Sequence, residues 1–128
     1  VIVASLGTAW TLDVMDRGGA FLGGAIGAGL GTQEDALAAA CPHLPRAAEA
    51  PGGSVIPIRS EAAIHCGTAG ALAESLDGLA RRFEAALGEP ARRFLSGGEA
   101  GRIGTRLGPA WETAPHLVLE GLAGLAPP

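Results

Sequence analysis

Two short strand-like runs, the mainly apolar residues 1–5 and the mixed apolar and polar residues 10–16, open the chain, and the pattern between them breaks at Gly7-Thr8-Ala9. Runs of this length with turn residues at their ends predict β-strands. Asp16-Arg17-Gly18-Gly19 has the composition of a hairpin turn, and Ala20 to Ile26 predicts a third strand leading into a glycine-rich bend. The opening segment is therefore expected to be a three-stranded β-meander. A helix is expected from about Gln33 to Ala40. Pro42, Pro45, Pro51 and Pro57 follow, and a segment so dense in residues that lack an N–H cannot hold regular structure for long. Ile64, Leu72, Leu76, Leu79, Phe83 and Leu87 then fall at helical spacing, which predicts a long helix from Ser60 to Gly88 with Ser60 as N-cap and Gly88 as the C′ residue. Arg93-Phe94-Leu95 predicts a short strand ending at Ser96-Gly97-Gly98. Beyond it, Glu99 to Leu107 is expected to be helical, His116 to Leu119 a strand, and Gly121 to Leu125 a final helical turn.

A meander followed by alternating helices and strands is the pattern of an α/β domain of the ribonuclease-H-like type, the module of the acetate kinase, sugar kinase, Hsp70 and actin superfamily. Residues 1–128 read as one such domain, with no internal repeat. Its hydrophobic pattern breaks most sharply at Gly7-Thr8 and Gly97-Gly98. Successive backbone N–H groups unobstructed by side chains make an anion-binding concavity, so both breaks are candidate sites for a phosphate or a nucleoside. The alternative for Gly7-Thr8 is a plain turn whose threonine solvates its own backbone. For Gly97-Gly98 it is a glycine C-cap or turn.

Composition narrows the class. With 128 residues, 48% of them hydrophobic, 17% charged and a net charge of −4, the chain is long enough for one core and carries no basic stripe, which argues against a nucleic-acid partner. No apolar run reaches the ~20 residues of a membrane span, and a cytoplasmic location is expected. Cys41 and Cys66 have no metal-ligand spacing with His43 or His65, so free thiols and no metal site are expected. Lysine is absent, and any cationic phosphate partner must be arginine. Asp13, Asp16 and Glu34 could attract Mg²⁺ but are better read as solvated or capping carboxylates. His65 and Cys66 need no nucleophilic role. Trp10 and Trp111 are expected in the core or at a subunit contact rather than stacked on adenine. Val1, placed inside a strand with no leading turn, reads as the continuation of an upstream segment, and an N-terminal domain is expected to precede the chain.

"ASLGTAWTLD", "FLGGAIGAGL", Leu44-Pro45, "SEAAIHCG", "LSGGEA" and "LVLEGLAGL" stand in the order and spacing that identify a resemblance to the C-terminal half of type III pantothenate kinases, in the branch also called Bvg accessory factor. The resemblance covers essentially the whole chain. It implies an ATP-dependent kinase that phosphorylates pantothenate to 4′-phosphopantothenate in coenzyme A biosynthesis, with Mg²⁺ accompanying ATP and a homodimeric assembly. Thr8 and Gly7 match the family's ATP-binding turn. Gly97 and Gly98, preceded by Ser96 in place of Thr, match its nucleotide loop, and Ser60 matches a threonine that contacts pantothenate. No residue matches the family's catalytic aspartate, which belongs to the N-terminal half. Ser5 stands where the family has an aspartate that binds K⁺ or NH₄⁺, and a neutral hydroxyl does not replace a carboxylate as a hard-cation ligand. Ala28 replaces a proline of the glycine-rich bend. Two other functions share parts of this pattern: a sugar kinase of the same superfamily, and a non-catalytic regulatory accessory protein.

Overall fold

The computed structural model describes residues 1–49 and 55–125. Pro51 of the proline-rich connection lies outside them. Strand β1 (Ile2–Leu6) buries Ile2, Ala4 and Leu6 on one face and leaves Val3 and Ser5 half-buried on the other, the period-2 pattern of a strand with one core face. It pairs antiparallel with β2 (Ala9–Met15), Ile2 opposite Val14 and Leu6 opposite Trp10, and β2 pairs antiparallel with β3 (Phe21–Ala28). The expected meander is present, with β3 two residues longer at its C-terminal end. Strands β4 (Arg93–Ser96) and β5 (Trp111–Thr113) join parallel on the other side of β1, giving the order β3-β2-β1-β4-β5 in one mixed sheet. With its helices this is an α/β fold.

Helix α1 spans Leu30–Ala40. The long helical rod consists of α2 (Ser60–His65), a π-helical turn (Cys66–Gly70) and α3 (Ala71–Leu87). Leu72, Ala73, Leu76 and Ala80 of α3 are buried with Ile2, Ala4, Leu6, Leu12 and Leu95 of the sheet. Leu79, Phe83 and Leu87 pack partly against that core, as their spacing predicts. Gly88 closes α3 at φ +72°, where a residue without Cβ is favoured. The π turn was not legible: buried Thr68 donates its hydroxyl to the Ile64 carbonyl at 2.9 Å, a local competitor of the regular helical ladder.

Several expectations need correction. Ser60 is the first helical residue and not the N-cap; Arg59 holds the cap position in extended conformation, and its carbonyl accepts the Ala63 N–H at 2.8 Å. Helix α1 begins at Leu30 instead of Gln33. Helix α4 is confined to Ala100–Gly104 instead of 99–107. The last strand is Trp111–Thr113, and the segment expected as strand 116–119 leads into helix α5 (Leu117–Gly124). The displaced strand has a tertiary cause. Glu112 of β5 pairs at 2.9 Å with Arg92, which directly precedes β4, and buried Trp111 donates its Nε1 to Asp77 at 3.2 Å under the Arg93 guanidinium. Val118 and Leu119, whose apolarity predicted a strand, are exposed on α5.

Arg93 is buried, and its guanidinium bonds Asp77 at 2.7 Å and both oxygens of Glu84 at 3.0 and 2.7 Å. The hydrogen bonds from Arg93 hold the Glu84 carboxyl below its ordinary value of 4.5. A carboxyl with a depressed folded pKa stabilises the fold above its unfolded pKa, and this contribution is lost as pH falls through the folded value. Stability is therefore expected to decline on acidification below about pH 4.5, and Glu84→Gln is expected to be less stable at neutral pH with a flatter acid limb. Chemical denaturation across pH checks this; parallel acid limbs for the two proteins would contradict it.

Candidate functional site

The two glycine breaks meet at one end of the sheet. Gly7-Thr8 is the two-residue link between β1 and β2, and Gly97-Gly98 directly follow Ser96, the last residue of β4, the parallel neighbour of β1. Sequence separates the breaks by most of the chain, but the parallel pairing of Ser5 with Ser96 places them side by side. Glu99 N–H donates to the Leu6 carbonyl at 3.2 Å, joining the second loop to the foot of the first. Gly97 has φ +96°, and a Cβ there would lie 2.2 Å from the Leu6 carbonyl oxygen, so glycine is required both by conformation and by the close approach.

A third segment closes the site. Gly29 N–H and the Thr32 hydroxyl both donate to the Thr8 carbonyl, at 2.9 and 2.7 Å. A Cβ on Gly29 would lie 1.8 Å from the Gly7 carbonyl oxygen. The Thr8 carbonyl is thus fully engaged. Among the described residues the Thr8 hydroxyl and N–H, and the Gly98 N–H, have no hydrogen-bond partner, and the space where a Gly98 Cβ would stand is open. Exposed donors held on a rigid backbone are what an oxyanion of a phosphate requires.

Glu99 is the residue that sequence reasoning missed. Its carboxylate accepts the Leu30 N–H on Oε2 and the Gly31 N–H on Oε1, both at 2.9 Å, which explains why α1 begins at Leu30. The signal lay in the glutamate after Gly97-Gly98, but its partners are about seventy residues away, beyond the reach of a local capping pattern. Arg102 adds a strut, pairing with Glu34 of α1 at 3.0 Å and Glu99 at 3.7 Å.

The remaining singled-out residues have ordinary partners. Asp13 accepts the Thr11 hydroxyl, Asp16 accepts the Ala20 N–H, and Glu34 belongs to the Arg102 pair. Among the described residues, no three of His, Cys, Asp and Glu are grouped to hold a metal ion. His65 contacts Arg106 and Glu49, while Cys41 and Cys66 are free thiols. Trp111 is core, and Trp10 packs partly against it. Ser5 stands in register between Thr11 of β2 and Ser96 of β4, a row of neutral hydroxyls. Ser60 is exposed and, among the described residues, bonds none of the glycine loops; it lies one helical turn before Ile64, which lines a cavity of about 470 Å³ with Leu37, His65 and Arg102. Among the described residues no helix is long and apolar enough to cross a membrane.

Comparison with known proteins gives a family context. Residues 1–82 match the family model of type III pantothenate kinase. Relatives named type III pantothenate kinase include one from Alkalilimnicola ehrlichii, 41% identical and covering 98% of this chain and 50% of its own length. One from Halorhodospira halophila is 38% identical over 94% of the chain and 47% of its own length, and one from Laribacter hongkongensis is 38% identical over 98% and 52%. The chain thus spans about half the length of the curated relatives it matches. In fold it is similar to a crystal structure described as a Baf family transcriptional activator from Campylobacter jejuni, with a TM-score of 0.75 at 16% identity over 97% of this chain and 55% of that one.

Proposed function

The chain belongs to the type III pantothenate kinase family, and on that premise we propose that it is the C-terminal, ribonuclease-H-like half of an ATP:pantothenate 4′-phosphotransferase acting in cytoplasmic coenzyme A biosynthesis. A sheet whose first three strands are antiparallel and whose next two run parallel to the first supports the finer fold assignment. The observation that carries the functional reading is the meeting of Gly7-Thr8 with Gly97-Gly98 around unused donors.

In this role Mg-ATP is the substrate that the site receives, with Mg²⁺ carried in by the nucleotide. Thr8 offers its hydroxyl and N–H to a phosphate oxygen, and Gly98 offers an N–H without side-chain obstruction. Phosphoryl transfer depends mainly on such positioning and on neutralising developing charge. Pantothenate is the proposed acceptor, with Ser60 as its contact. A preceding half supplies the group that takes the acceptor's hydroxyl proton, and the assembly is a homodimer. Ser5 carries no charge, so the proposal assigns it no K⁺ or NH₄⁺.

Thr8→Val keeps the shape of the side chain and removes its donor. A hydrogen bond to a charged group is worth about 1.5–3 kcal/mol, so Mg-ATP affinity is expected to fall roughly 10- to 100-fold with the fold intact. Isothermal titration of wild type and variant makes the measurement. Unchanged affinity would remove Thr8 from the nucleotide site. In the protein carrying both halves, phosphate transfer to pantothenate and not to hexoses separates this function from that of a sugar kinase.

A further inference from the structure

Helix α1 lacks a local cap. Its cap position is Gly29, which has no side chain to offer the first-turn N–H groups. A Ser, Thr or Asp there is excluded because its Cβ would stand 1.8 Å from the Gly7 carbonyl oxygen. The donors of Leu30 and Gly31 are met instead by Glu99, whose side chain is only 18% exposed and whose charge is favourable at a helix N-terminus.

The result is a closed ring of hydrogen bonds. Leu6 O accepts Glu99 N–H; the Glu99 carboxylate accepts Leu30 and Gly31; and Gly29 N–H returns to Thr8 O, two residues beyond Leu6. One link ends on Thr8 itself, and Leu6 and Glu99 stand directly beside Gly7 and Gly98 of the two loops assigned to nucleotide. Resting on that assignment, we infer that Glu99 is the positioning residue of the phosphate site, fixing the Gly97-Gly98 loop against the Gly29–Gly31 bend and thereby setting where the Thr8 and Gly98 donors point. A cap of purely local importance would stabilise α1 without affecting Thr8. A positioning residue couples the two.

The test uses Glu99→Ala and, should that variant fold poorly, the near-isosteric Glu99→Gln, beside Leu79→Ala as a core truncation that lowers stability without touching the ring. In ligand-free protein, amide NMR is expected to show faster exchange at Leu30 and Gly31 together with a displaced Thr8 resonance in the Glu99 variants only. With Mg-ATP as the probe, the Kd is expected to rise about tenfold in Glu99→Ala, a usual size for coupling between connected sites, and less in Glu99→Gln, while Leu79→Ala stays within about twofold of wild type. Faster exchange at Leu30 and Gly31 with an unmoved Thr8 resonance would overturn the positioning role. So would wild-type Mg-ATP affinity in both Glu99 variants. Failure of the wild-type chain to bind Mg-ATP would instead overturn the nucleotide assignment, and the ligand-free resonances would still decide the role of Glu99.

Discussion

Gly97→Ala is expected to destabilise the protein by about 2–5 kcal/mol. The φ of +96° strains any residue with a Cβ by about 1–2 kcal/mol, and the new atom would lie 2.2 Å from the Leu6 carbonyl oxygen and 2.5 Å from the Leu6 nitrogen, an overpacking worth about 1–3 kcal/mol. Those contacts are backbone, in the buried strand β1, and cannot swing aside as a flexible side chain would. For a chain of this size the loss corresponds to a fall in Tm of roughly 10–20 °C. Its neighbour makes the contrast. Gly98 has no positive φ and nothing within 4 Å of a built Cβ, so Gly98→Ala is expected to melt close to wild type while weakening Mg-ATP binding by intruding on the open approach. Thermal melts of the two variants decide the matter, and equal losses would contradict this account of the loop.

The 128-residue chain, supplied with pantothenate and Mg-ATP, is expected to turn over at least 10²-fold more slowly than a full-length type III pantothenate kinase. The chain spans about half the length of such relatives, and the proposed function places the group that takes the acceptor's hydroxyl proton in the other half. Loss of a general base alone is worth about 10²–10⁴-fold, and loss of the groups that hold the γ-phosphate in line adds to it. A coupled ADP-release assay on monodisperse protein gives the rate. Turnover within tenfold of a full-length relative would contradict the division of labour between the two halves.

The elements legible in the sequence are those whose determinants are local. Leu72, Leu76, Leu79, Phe83 and Leu87 repeat at helical spacing, and Gly88 ends their helix in the conformation that a glycine signals. The meander follows from alternating apolar residues with glycines at the turns. Gly7-Thr8 and Gly97-Gly98 were visible as breaks in pattern, although only the parallel register of β1 and β4 brings them together. What escaped depends on distant partners. The start of α1 is set by Glu99, and the position of β5 is set by Arg92, Arg93 and Asp77. Gly29 resembled any other member of a glycine-rich bend until its distance to Gly7 was known. The apolar residues at 118 and 119 misled because apolarity alone does not separate a buried strand from an exposed helix face.

The central claim is that the Gly7-Thr8 turn and the Gly97-Gly98 loop jointly hold the phosphates of ATP. Titration of the ¹⁵N-labelled chain with Mg-ATP tests it most directly, because each backbone N–H reports separately. Saturable shifts are predicted at Gly7, Thr8, Gly97 and Gly98, extending through the hydrogen-bonded ring to Gly29, Leu30 and Gly31, with the α3 residues Leu79 to Leu87 unmoved. Shifts confined to the cavity around Ile64 and His65, or none at millimolar Mg-ATP, would contradict it.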